Sequence, residues 1–147
     1  MTNSETPRVV FFQVSDPAAK IAHIAQTAQY HFLRKERFLV LAEEDKALAY
    51  VDELLWNHTP EIFLPHAIHD AECQEWIALT KLKKNLNDAR YVFNLCPTPL
   101  LIEGPFRIIY DFEDTSSQSK KNLSATRYDS YKQAHFLIES RGAASDS

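Results

Sequence analysis

Several groups of side chains in this 147-residue sequence have the types and spacing to do chemistry. His66, His69 and Cys73 fall within eight residues of one another, with His58 close by, and imidazole with thiolate is a zinc donor set. Structural zinc usually shows tighter, cysteine-rich pairs whose ligands converge at about 2.0 to 2.3 Å. The expectation here is therefore no metal, but a loop histidine bonded to backbone and Cys73 as a small buried hydrophobe. The thiols Cys73 and Cys96 are too few for a disulfide framework, and neither stands in the setting of a nucleophile; Cys96 closes an apolar run before Pro97, which suits a buried strand end.

Carboxylates gather at Glu43, Glu44, Asp45, Asp52 and Glu53, but at helical spacing beside Lys46 they read as one solvated helix face. A phosphate cradle needs a glycine-rich turn at a helix start. The chain has two glycines, Gly104 and Gly142, and its first strand-to-helix turn reads Gln13-Val14-Ser15-Asp16-Pro17. Side chains at every position and a carboxylate at the helix start would repel a pyrophosphate. No catalytic constellation emerges and no cofactor is expected.

Charge is the remaining signal. The net charge is −4, yet between Thr115 and Arg141 five Lys and Arg stand against two Asp and Glu. A basic C-terminal stretch on an acidic body points to a local anionic ligand rather than to a general coating of nucleic acid.

The elements that would position these residues follow from periodicity. Arg8 to Val14 and Phe38 to Ala42 are short runs, apolar on both faces, as strands of a covered sheet are. Asp16 and Pro17 open a helix whose stripe is Ile21, Ile24, Ala25, Ala28 and Phe32, ending near Glu36; a second carries Ala47, Leu48, Val51, Leu54 and Leu55. Further strands are expected at Trp76 to Leu79, Tyr91 to Leu95 and Phe106 to Phe112. A long last helix is expected from about Ser117 to Arg141, with Tyr128, Tyr131, His135 and Ile138 on one stripe. The pattern predicts a single α/β domain over 8–141: a three-layer sandwich, its mostly parallel sheet covered by helices on both faces. Residues 1–7 are expected to be flexible and 142–147 disordered. With no leader-like segment and no apolar span of membrane length, the expected location is the cytoplasm.

Three stretches carry a family resemblance. Phe38-Leu39-Val40-Leu41-Ala42-Glu43-Glu44-Asp45 is followed by Ala49-Tyr50-Val51-Asp52-Glu53-Leu54-Leu55-Trp56 and then by Phe63-Leu64-Pro65-His66. Together with Arg127-Tyr128-Asp129-Ser130-Tyr131-Lys132 they resemble the chi subunit of bacterial DNA polymerase III, over most of residues 8 to 140. On physical grounds alone Leu55 and Trp56 are expected to pack on the core, while Phe63, in a proline-flanked loop, suits an anchor for a partner.

The resemblance implies a non-catalytic accessory subunit of the holoenzyme. Members of that family bind a psi subunit, which ties them to the clamp loader, and grip the C-terminal tail of single-stranded-DNA-binding protein. That tail is acidic and ends in Pro-Phe with a free carboxylate. Its recognition needs a basic rim, a pocket for the ring and donors for the carboxylate. The residues carried over for this are Phe63, Lys121, Arg127, Tyr128 and Lys132. Ala125 and Asp129 stand where the better-known members have Arg and Lys, and Asp129 is expected to weaken the grip. Two rival readings are a direct single-strand binder that stacks bases on Tyr128 and Tyr131 beside Lys132, and a small nucleotide-dependent enzyme.

Overall fold

The computed structural model describes residues 6–57, 63–102 and 105–142. The elements run β1 (Arg8–Val14), α1 (Pro17–Leu33), β2 (Phe38–Leu41), α2 (Asp45–Asn57), β3 (His66–Ile68), β4 (Ile77–Thr80), β5 (Tyr91–Asn94), β6 (Ile108–Asp114), α3 (Gln118–Gln133) and β7 (Leu137–Arg141). The seven strands form one sheet in the order β3-β4-β2-β5-β6-β1-β7, and every pairing is parallel.

Handedness explains which side each connection takes. Crossovers between parallel strands are right-handed. The steps from β1 to β2 and from β2 to β3 move one way along the sheet, so α1 and α2 share a face. The step from β6 to β7 moves the other way, and α3 therefore covers the opposite face together with the loop residues Ala89, Cys96, Leu100 and Phe106. Strand alternation divides the core accordingly. Val10, Phe12, Phe38, Val40 and Phe93 meet Ile24, Ala28, Leu48, Val51 and Leu55 of the first two helices. Val9, Phe11, Leu39, Val92 and Ile109 meet Tyr131 of α3 and the loop residues Ala89, Cys96 and Leu100.

Asp16 caps α1 by accepting from the Ala19 backbone N–H at 2.8 Å, so the first strand-to-helix turn spends its donor on its own carboxylate. α1 and α3 both close without glycine. Lys35 (φ 59°) and His135 (φ 67°) take the left-handed conformation, and the next N–H reaches back to close the last turn, Glu36 to His31 O at 2.9 Å and Phe136 to Tyr131 O at 3.1 Å.

This closure corrects the expected C-terminal helix. α3 stops at Gln133, His135 forms the turn, and Ile138 belongs to β7, a strand paired with β1 at the sheet's edge. No Gly or Pro marked that stop, so the helical pattern ran on in the sequence. β3 is likewise an unanticipated edge strand, of three residues. Trp56 was expected in the core but is 45% exposed, while Leu55 is buried. The expected flexible residues 1–5, the tail from 143, His58 and Gly104 lie outside the described residues. Among the described residues no helix is long and apolar enough to cross a membrane.

Two histidines of α1 are buried against the sheet. His23 stacks on Phe12 with ring centroids 4.1 Å apart, and His31 stacks on Tyr91 at 4.1 Å. His31 also bonds Glu36 Oε1 at 2.9 Å and Tyr110 Oη at 2.8 Å. Burial lowers the pKa of both imidazoles, in His31 against the upward pull of Glu36. A base whose folded pKa is lowered takes up protons preferentially in the unfolded chain, so this part of the stability is whole above about pH 6.5 and is lost below it. Tm is expected to fall between pH 7.5 and pH 5.5, and His23→Phe is expected to shrink that fall; a Tm that is flat or rises on acidification contradicts the assignment.

Candidate functional site

Four polar side chains are buried beneath α3. Asp111 sits in the middle of β6, 1% exposed, where its neighbours Ile109, Tyr110 and Phe112 are apolar or aromatic. Its Oδ1 accepts from Arg127 Nε at 3.1 Å and from the Phe112 N–H at 2.7 Å. Its Oδ2 accepts from Tyr131 Oη at 2.9 Å and from Asn94 Nδ2 at 3.3 Å. All four partners donate, which suits the ionised carboxylate. Desolvation pushes the carboxyl pKa up, with Arg127 and the three hydrogen bonds opposing that push.

Arg127 spends its guanidinium here. Nη2 donates to Phe112 O at 2.9 Å and to Ser124 Oγ at 3.3 Å, and Nη1 to Pro97 O at 3.2 Å. Tyr131 Oη accepts from the Leu100 N–H at 2.9 Å, and Asn94 also donates to Thr98 O at 2.9 Å. One network thus ties α3, β5, β6 and the loop after β5 together.

The residues expected to grip a tail are distributed differently. Lys121 and Lys132 are exposed and Tyr128 is 39% exposed, whereas Arg127 is only 7% exposed. Lys121 and Tyr128 line a cavity of about 360 Å³ beside Phe11 and Ser140, into which Glu113 and Asp129 also face. Arg127 borders a second cavity, of about 420 Å³, on the other side of α3. Phe63, 70% exposed, stands against Trp56 with ring centroids 5.5 Å apart, next to β3 and α2. Six strand spacings, about 29 Å, separate β3 from β7, and α2 and α3 lie on opposite faces. Phe63 and α3 therefore do not wall one cleft. Tyr131 is fully buried, which removes it from any base-stacking platform on α3.

The larger cavity lies outside the carboxyl ends of β1, β2, β5 and β6, among the N-terminal turns of all three helices, as ligand crevices do in open α/β sheets. Its walls are mostly apolar, including Ile21, Leu95, Pro97 and Leu123, with Lys20 and Lys120 at its rim. Lys20 pairs with Asp114, whose pKa is brought below the usual carboxylate range, against the desolvation effect, by Lys20 and Ser116. Sequence reasoning passed over Lys20 and Asp111 and counted Lys120 only as part of the basic C-terminal stretch; the one signal for Asp111 was a lone acid inside the apolar run of β6.

Of the metal and nucleophile candidates, His66 and Cys96 have structural settings. His66 Nδ1 bonds Leu64 O at 2.6 Å and Nε2 bonds Asp52 O at 2.9 Å, so this imidazole pins the turn after α2 to that helix. No group of three His, Cys, Asp or Glu able to hold a metal ion occurs among the described residues. Cys73 is half-buried, not buried as expected. Cys96 is buried, and desolvation raises its thiol pKa, the opposite of what a nucleophile needs.

A family model for the DNA polymerase III chi subunit, HolC, matches residues 6–139. The chain belongs to the chi subunit family. The match runs from just before β1 into β7 and so takes in every element described above. No curated protein matches the sequence. Membership of the chi family makes this an accessory protein of DNA replication.

Within this fold Arg127 has the setting of a residue that positions α3. Arg127→Ala would leave Asp111 buried without its cation and is expected to cost about 3 to 5 kcal/mol, measured by urea unfolding. A loss below about 1 kcal/mol, in the range of an exposed pair, would contradict this role.

Proposed function

We propose that this protein is a non-catalytic subunit of the DNA polymerase III holoenzyme, working in the cytoplasm. In this reading it links the clamp loader, through a psi-like partner, to the acidic C-terminal tail of single-stranded-DNA-binding protein. The observation that carries the proposal is the 420 Å³, mostly apolar cavity at the N-terminal turns of the three helices, where Lys20 is paired with Asp114 and Lys120 is in none of the ion pairs among the described residues. A tail ending in Pro-Phe with a free carboxylate needs an apolar hollow for the ring with positive charge beside it. Of the helix N-termini there, only that of α3 is free of a carboxylate, since Asp16 caps α1 and Asp45 stands in the first turn of α2, so α3 adds the partial positive charge.

Lys120, beside this cavity, and the exposed Lys121 and Lys132 elsewhere on α3 steer the aspartates, while Arg127 holds the helix that presents them. Tyr128 offers a ring on the same helix, next to Asp129, whose charge works against an acidic ligand. The Trp56–Phe63 pair, exposed at the far edge of the sheet, suits a different occupant, and we assign it to the psi-like subunit. That leaves Phe63 outside the tail site.

The test is anisotropy with a labelled acidic peptide ending in Pro-Phe. Lys120→Glu is expected to weaken binding about tenfold, ~1.4 kcal/mol, amidation of the peptide's carboxylate is expected to weaken it similarly, and Lys132→Glu less. Phe63→Ser is expected to leave the peptide bound while losing the psi-like subunit on co-purification. Equal binding by wild type and Lys120→Glu, or loss of the peptide with Phe63→Ser, overturns this placement.

A further inference from the structure

An all-parallel sheet gathers the residues that precede its strands at one end, however far apart they stand in the sequence. Here the residues at that end of four neighbouring strands, β2, β5, β6 and β1, are rich in Arg and Lys. Arg8 opens β1, Arg34, Lys35 and Arg37 lead into β2, Arg90 precedes β5 and Arg107 precedes β6. Continuing the strand register by one residue sets Trp76, Arg37, Arg90 and Arg107 in one row across four neighbouring strands, each about 4.8 Å from the next. The backbone confirms the row, with Phe38 N–H donating to Trp76 O at 2.8 Å and Arg107 N–H to Arg90 O at 2.7 Å.

This rim has little internal neutralisation. Arg8 stands 3.8 Å from Glu139, and Arg34 pairs with Glu36 at 3.3 Å. Lys35, Arg37, Arg90 and Arg107 take part in none of the ion pairs among the described residues. Among the described residues the carboxylates near the rim are Glu36, Glu75, Asp88 and, beside Arg8, Glu139, and Glu36 is already engaged by His31, Arg34 and Tyr91. Aromatic rings are interleaved with the cations. The Arg37 guanidinium lies 5.6 Å from the centre of the Trp76 ring, which is 38% exposed, and Arg34 lies 5.2 Å from the ring of exposed Tyr30.

We infer that this amino-terminal rim is a second binding surface, for the backbone and bases of single-stranded nucleic acid. A row of guanidiniums tracks phosphates, and exposed rings beside them offer stacking planes to unpaired bases. An acidic peptide would use the cations, but only a polymer with a flat base at every unit would use each of the interleaved rings. The rim lies at the opposite end of the strands from the proposed tail cavity, so the two sites are separable by mutation and one molecule could hold both ligands.

The experiment is fluorescence anisotropy of a labelled oligothymidine of about 20 nucleotides with the full chain. Neutralising four phosphates predicts that affinity falls about 50-fold between 50 and 200 mM salt. Arg90→Glu combined with Arg107→Glu is expected to weaken binding at least tenfold and to flatten the salt dependence. Trp76→Ala is expected to weaken it several-fold with the salt dependence unchanged, and Lys46→Glu, on the exposed face of α2, to change nothing. The inference is overturned if the wild type does not bind at 50 mM salt or if the rim variants bind as the wild type does. It is also overturned if an acidic peptide competes as well as the oligonucleotide while Trp76→Ala has no effect.

Discussion

The contact between Asp111 and Arg127 decides what the second face of this protein can be. An isolated carboxylate in the middle of a covered strand would be too costly to keep, and the guanidinium makes it tolerable only because four donors converge on the carboxylate and every nitrogen of Arg127 finds an acceptor. The consequence is geometric. α3 buries Ser124, Arg127 and Tyr131 rather than an aliphatic stripe, so its register on the sheet is fixed by directional bonds. That register sets which lysines face outward and where the walls of the two cavities beside the helix stand.

The same logic explains what could be read in advance. β1, α1, β2 and α2 were legible because each is long or strongly periodic and buries aliphatic residues such as Val10, Ile24, Val40 and Leu48. α3 was legible as a helix but not in its orientation, because its inward side is polar: Arg127, offered for a partner, and Tyr131, offered for stacking, are both buried. β7 was hidden for two reasons. Its preceding turn uses His135 in place of glycine, and an edge strand with the burial of Leu137–Arg141 keeps no apolar face to announce it. The quoted motifs pointed to the right family, yet they gave no sign that Phe63 and Arg127 belong to different surfaces, since that depends on strand order.

Parallel strand order also separates charge in space. The amino ends of the strands collect arginines drawn from positions 8, 37, 90 and 107, while the carboxyl ends hold helix N-termini around an apolar hollow. One scaffold thus presents three distinct surfaces, at the Trp56–Phe63 edge, along α3 and on the basic rim. Under the proposed function, separate surfaces would let one molecule hold its partners together.

Native-state hydrogen exchange on Asp111→Asn tests most directly whether the buried ion pair governs α3. The account predicts that amides of Gln118–Gln133 and of Leu100 lose protection together, while those of β2 and α2 keep theirs. Uniform loss across the chain, or an α3 protected as in the wild type, would contradict it.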